Sequence, residues 1–123
     1  MIEKRVYLIC PVRNCDEKTL ADMDDYVAQL EKGGYIVHYP PRDVDQTQTG
    51  MSILKAHRKA MSKCNEVHIW WDGDSKGSHF DLGMGFMLAH LRDLPVKFVS
   101  ANSLERTEGK SFVNVILDLE KYE

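Results

Sequence analysis

The stretch of the chain with the most chemistry to offer is Trp70-Trp71-Asp72-Gly73-Asp74-Ser75-Lys76-Gly77-Ser78-His79-Phe80-Asp81-Leu82-Gly83. It leaves an apolar run, passes two glycines and enters a helical pattern. Backbone N–H groups at the start of such a helix, with Ser75, Ser78 and Lys76, could hold a phosphate or a ribose hydroxyl. Asp81 is expected in the first helical turn, where the helix dipole favours its ionised form. A carboxylate kept ionised beside a ligand cleft can serve as a nucleophile or an electrostatic stabiliser. Ser78-x-x-Asp81 also has the form of a capping box, in which both side chains only satisfy helix N–H groups, and spacing alone favours capping. Gly83 and Gly85 fall inside the helix, each at a cost of about 1 kcal/mol relative to Ala. Their presence predicts a close approach to the backbone there, by the sheet or by a ligand.

Other polar residues have two readings each. His57 lies on the apolar stripe of the preceding helix, as a core histidine or as an acid–base group. His79 opens the third helix and is expected to face solvent. His38, His68 and His90 fit no metal-ligand spacing and are read as structural. No metal and no cofactor are expected. Asp43, Asp45, Gln46 and Gln48 sit in a loop from which base-edge hydrogen bonds could come. Trp70 and Trp71 end a strand and point opposite ways, one into the core and the other toward a pocket or an interface. Ser111 and Asn114, near the tail, are placed to reach a neighbouring subunit's site.

The elements that must position these groups alternate between strand and helix. Val6 to Cys10 is a continuous apolar run stopped by Pro11, as in a strand buried on both faces. A helix follows, with Leu20, Met23, Val27 and Leu30 at helical spacing, Asp16 or Thr19 as N-cap and Gly33-Gly34 at its end. Tyr35 to Tyr39 reads as a second strand closed by Pro40-Pro41, and Arg42 to Gly50 as a polar loop. Ile53, Leu54, His57, Ala60, Met61 and Cys64 mark a second helix. Val67 to Trp71 is the third strand and His79 to Leu91 the third helix. Val96 to Val99 is the fourth strand, and a helix beginning near Ser111 ends the chain. This alternation predicts an α/β fold with right-handed crossovers and a four- or five-stranded parallel sheet. Ligands bind such sheets at the carboxyl ends of the strands, where 11–16, 40–50 and 72–78 converge.

Bulk properties narrow the partners. The 123 residues are 43% hydrophobic and 28% charged, which suits one globular domain spanning 1–123. A formal charge of -3, with no tight Lys/Arg cluster, argues against binding a nucleic-acid duplex and for a small-molecule partner. Cys10, Cys15 and Cys64 form no CxxC pair, and Cys10 reads as a small buried hydrophobe, which suits a reducing compartment. The charged N-terminus offers no signal-peptide core, and no run is long enough to span a membrane, so a cytoplasmic location is expected.

Tyr7-Leu8-Ile9-Cys10-Pro11-Val12-Arg13 resembles the opening strand and loop of the nucleoside 2-deoxyribosyltransferase superfamily, which includes the 2'-deoxynucleoside 5'-phosphate N-hydrolases. Ser75-x-Gly77-x-x-x-Asp81-Leu82-Gly83 resembles their second signature, in which Ser-x-Gly precedes the nucleophilic acid and Leu-Gly. The resemblance covers the first strand through the third helix, about two thirds of the chain. It implies that Tyr7 and Val12 line a base and sugar pocket and that Arg13 reaches a 5'-phosphate. Ser75 and Gly77 would contact phosphate or sugar. Apart from the resemblance, Gln46, Asp72 and Ser78, from the loops that converge on the site, are further candidate substrate-binding groups. Asp81 stands where the family has a nucleophilic glutamate, which displaces the base and forms a glycosyl-enzyme intermediate. The ungapped register places His57 at the family's second acid. The implied fold is a flavodoxin-like three-layer sandwich, and the implied activity is cleavage or exchange of an N-glycosidic bond in a nucleoside or nucleotide, by a homodimer or larger homo-oligomer. The shorter acid and the histidine leave open a second reading, a nucleotide-binding or sensing domain without turnover.

Overall fold

Val6, Tyr7, Leu8 and Ile9 are all buried, with Val6 and Leu8 packing on one side of the sheet and Tyr7 and Ile9 on the other. A strand apolar on both faces can only sit in the middle of a covered sheet. The computed structural model, which describes residues 3–13, 15–100 and 104–120, places it there. Strand β1 (Arg5–Ile9) lies between β2 (Ile36–His38) and β3 (Glu66–Ile69), with β4 (Val96–Phe98) at the far edge, in the order β2-β1-β3-β4. All three pairings are parallel. The chain passes first from β1 outward to β2, then back across β1 to β3, so the direction of winding reverses between β1 and β3. That reversal opens a crevice at their carboxyl ends.

Helix α1 (Glu17–Lys32) covers one face through Met23 and Val27, which pack on Val6 and Leu8. Asp16 caps it, accepting from Thr19 N at 2.7 Å, and Gly34 at φ 95° ends it in the left-handed region that favours glycine. Helices α3 (Gly50–Ser62), α4 (Lys76–Arg92) and α5 (Phe112–Glu120) cover the other face, where Met61, Leu82, Ile116 and Leu119 pack on Tyr7, Ile9, Val67 and Ile69. The result is a three-layer α/β sandwich of flavodoxin-like type with four parallel strands. No described helix is long and apolar enough to cross a membrane.

Several boundaries differ from those expected. Pro40–Asp43 forms a short helix, α2, because two prolines suit the first helical positions and the Asp43 carboxylate accepts from Tyr39 N. The polar loop is thereby shortened, and Gly50 begins α3, whose cap is Thr49. Helix α4 begins at Lys76, a turn earlier than His79. The Asp72 side chain accepts from Asp74 N, and Ser75 N donates to Asp72 O, so the turn closes at Ser75. Ser75 Oγ then accepts from Ser78 N at 3.2 Å and serves as the cap in place of Ser78. Strand β3 ends at Ile69, although Trp70 N still donates to Ile9 O at 2.7 Å.

Gly83 and Gly85 are not sites of forced close approach. A Cβ on Gly85 would meet Ile9 and Val67 side chains at 3.8 and 3.9 Å, ordinary contact, and one on Gly83 would meet nothing within 4 Å.

Candidate functional site

The crevice between β1 and β3 holds a cleft of about 420 Å³, within the range of small-molecule sites. The loop after β1 contributes Cys10, Val12 and Arg13, and the turn into α4 contributes Asp74, Ser75, Lys76 and Gly77. Helix α3 supplies Ile53, Leu54 and His57 from the opposite wall, with Gln46 and Gly50 before them. Asp81 lies at the bottom. The cleft lining therefore carries two cationic side chains, Arg13 and Lys76, with the acidic Asp74 near Lys76 in the turn before α4, and apolar Ile53 and Leu54 from α3. Gln46 Nε2 donates to Pro40 O and Val44 O, so its remaining hydrogen-bonding atom is the acceptor Oε1.

The acid at the bottom is held from three elements. Asp81 is 3% exposed and sits in the second turn of α4, beyond reach of a first-turn capping role. Its helix face, Ser78, Asp81, Leu82 and Gly85, turns toward the sheet. The Tyr7 hydroxyl, from β1, donates to Asp81 Oδ2 at 2.7 Å, and His57 Nδ1, from α3, lies 3.2 Å from Oδ1. Burial, and then the neighbouring Asp81 charge, push the Tyr7 phenol far above its ordinary range, so it remains a donor. Burial also pushes the Cys10 thiol up, with Asp81 adding to it, which disfavours its thiolate. A carboxylate has about four lone-pair positions, and Tyr7 and His57 occupy only two of them.

Seven of the site residues expected from the sequence line the cleft: Val12, Arg13, Gln46, His57, Ser75, Gly77 and Asp81. Three do not. Tyr7 is fully buried beneath the floor, where it holds Asp81 rather than lining a pocket. Asp72 closes the turn through Asp74 N, and Ser78 is buried on the sheet side of α4 with an unpartnered hydroxyl. His57 lines the cleft, yet its Nε2 is buried and its Nδ1 faces Asp81, so neither nitrogen is placed to serve a ligand directly.

Other residues have local duties. Asp45 accepts from Thr47 and Gln48 within its own loop, and Asp43 pairs with Arg42. His79 does not face solvent as expected. It is half-buried between Trp71 and Phe112, with ring centroids 4.7 and 4.8 Å away. Trp70 packs in the core, while Trp71 joins that aromatic group instead of the cleft. Ser111 and Asn114 bond back to Thr107 and Gly109, so their polar groups close their own loop rather than reach outward.

Two other depressions, of about 520 and 610 Å³, lie between α4 and α5 and below β4. Both are larger, but neither touches Asp81 or the carboxyl ends of β1 and β3. The site chemistry belongs to the smaller cleft. In comparisons with known proteins, no protein-family model and no curated protein matches the chain.

Proposed function

We propose that the cleft binds a nucleoside or nucleotide and that Asp81 cleaves its N-glycosidic bond, with water or a second base as acceptor. The observation that carries this reading is a single buried carboxylate, oriented by Tyr7 and His57, at the bottom of a ligand-sized cleft whose lining includes Arg13 and Lys76. The two sequence signatures resembling the nucleoside 2-deoxyribosyltransferase superfamily meet at that carboxylate. A carboxylate oxygen bonds to the anomeric carbon, and the electron pair of the breaking C–N bond leaves with the base, which takes a proton from solvent. Attack by water or another base on the glycosyl ester then frees Asp81. His57 acts in this scheme by fixing Asp81, because its own nitrogens are turned to the acid and to the interior. A phosphate on the substrate would meet Arg13, Lys76 and the start of α4.

Engagement of both Asp81 oxygens and its 3% exposure favour a second reading, a nucleotide-binding domain without turnover. The deciding experiment incubates the protein with ribo- and deoxynucleosides and their monophosphates and follows free base by chromatography. Base release that falls by orders of magnitude in Asp81→Asn, with binding retained, supports the enzyme. Tight binding of one ligand with no base released from any leaves the binding domain.

The proposal extends to assembly and setting. Phe86, Met87 and Leu91 on α4, with Phe112 and Val115 on α5, are exposed apolar side chains, and a second copy of the chain is the proposed cover. Three free thiols suit a reducing, cytoplasmic setting.

A further inference from the structure

Two imidazoles meet behind the cleft. His38 ends β2 and stands opposite Tyr7 in the β1–β2 register. Its ring stacks on the Tyr7 ring, with centroids 5.0 Å apart and 25° between planes. His57 meets both rings edge-on, 6.1 Å from Tyr7 and 6.3 Å from His38. The Nε2 atoms of both histidines are buried and have no hydrogen-bond partner among the described residues. An unsatisfied buried polar atom costs about 1–3 kcal/mol. The protonation demands of the two rings are complementary. Asp81, as a carboxylate, only accepts, so the His57 proton belongs on Nδ1 and leaves Nε2 a lone pair. His38 can carry its proton on Nε2.

We propose that His38 is a positioning residue: its Nε2–H donates through one enclosed water to His57 Nε2 and fixes the tautomer in which His57 holds Asp81. Four elements then form one chain of donors, from His38 on β2 to His57 on α3 to Asp81 on α4, with Tyr7 on β1 closing on the same acid. A proton added to His57 breaks this complementarity, because its Nε2–H would then face the His38 donor. His38 is surrounded by Arg42 and Asp43 of α2, His57, Asp81 and Tyr7, while His57 shares the cleft wall with Arg13, Asp74 and Lys76. Burial holds His38 below its ordinary value, in keeping with a neutral ring.

The role of His57 here rests on the reading of Asp81 as the reactive acid, but the pairing can be tested without turnover. Long-range proton–nitrogen NMR of the full chain reports the tautomer of each imidazole. The wild type should show His57 protonated at Nδ1 and His38 protonated at Nε2. His38→Phe keeps a ring on Tyr7 and removes both nitrogens. It should mix the His57 tautomers, while His38→Gln, which retains a donor, restores the wild-type tautomer. Identical His57 spectra in wild type and a folded His38→Phe overturn the proposal. If His38→Phe does not fold, a wild-type His57 protonated at Nε2, or a His38 protonated at Nδ1, overturns it as well. Base release is measured on the same samples: its absence from wild type with the expected tautomers present removes the catalytic reading alone.

Discussion

Tyr7→Phe removes one oxygen from the centre of the molecule and leaves the ring in place. That oxygen is fully buried and lies 2.7 Å from Asp81 Oδ2, on an acid that is itself 3% exposed. A hydrogen bond to a charged group contributes about 1.5–3 kcal/mol, and the carboxylate left behind loses a donor that bulk solvent cannot replace. For a chain of this size each kcal/mol lowers Tm by about 4 °C, so the variant should melt about 6–12 °C below wild type. Because burial and Asp81 keep the phenol protonated well above neutrality, the loss should be constant from pH 6 to 8. Urea unfolding followed by circular dichroism reads the change as a lower midpoint at unchanged m-value. The Asp81→Asn variant and the double variant complete a cycle, in which the coupling should be at least about 1 kcal/mol. A loss below about 0.5 kcal/mol, as at an ordinary surface site, would refute the idea that Tyr7 holds the acid.

Arg13→Ala should weaken binding of a nucleoside monophosphate far more than binding of the free nucleoside, and equal losses in calorimetry would remove the phosphate assignment. Gly83→Ala should stabilise the protein by about 0.5–1 kcal/mol, since nothing lies near the added methyl, and a lower melting temperature would show that something approaches α4 there. Light scattering at micromolar concentration should report more than the 14.1 kDa of one chain, and Leu91→Glu should shift the particle toward that mass. Burial holds His38 and His68 below the ordinary 6.5, so both are neutral in the native state and take up protons on unfolding. Stability is then full above about pH 6.5 and falls as pH drops below it, and urea midpoints in His68→Leu should fall less steeply.

The fold was legible because the strands carry their burial in plain view. Val6 to Ile9 is apolar on both faces, and Val67 to Ile69 is buried on both with His68 as its one polar residue, which suits central parallel strands. Glycine pairs and polar caps at Asp16 and Gly33-Gly34 marked where helices start and stop. What failed was register at the start of α4. Ser75 and Ser78 are equally good caps by residue type, and the choice between them depends on a turn closed by Asp72, a tertiary detail with no local signature. Pro40-Pro41 misled for a related reason, since a proline pair ends a strand or begins a helix equally well.

That three-residue difference in register decides what Asp81 can be. Capped at Ser78, the helix would have Asp81 in its first turn, accepting from backbone N–H groups at the surface. Capped at Ser75, it carries Asp81 one turn deeper, onto the face that packs against β1, where only side chains can satisfy it. Tyr7 and His57 do so from elements far away in sequence, and His38 stands behind them on a third. A buried acid costs stability unless it is bonded, and a cap at Ser75 already satisfies the helix start without it. Asp81 is therefore not accounted for by α4's own needs, and its lining of the cleft bottom is the feature that a ligand-directed role explains.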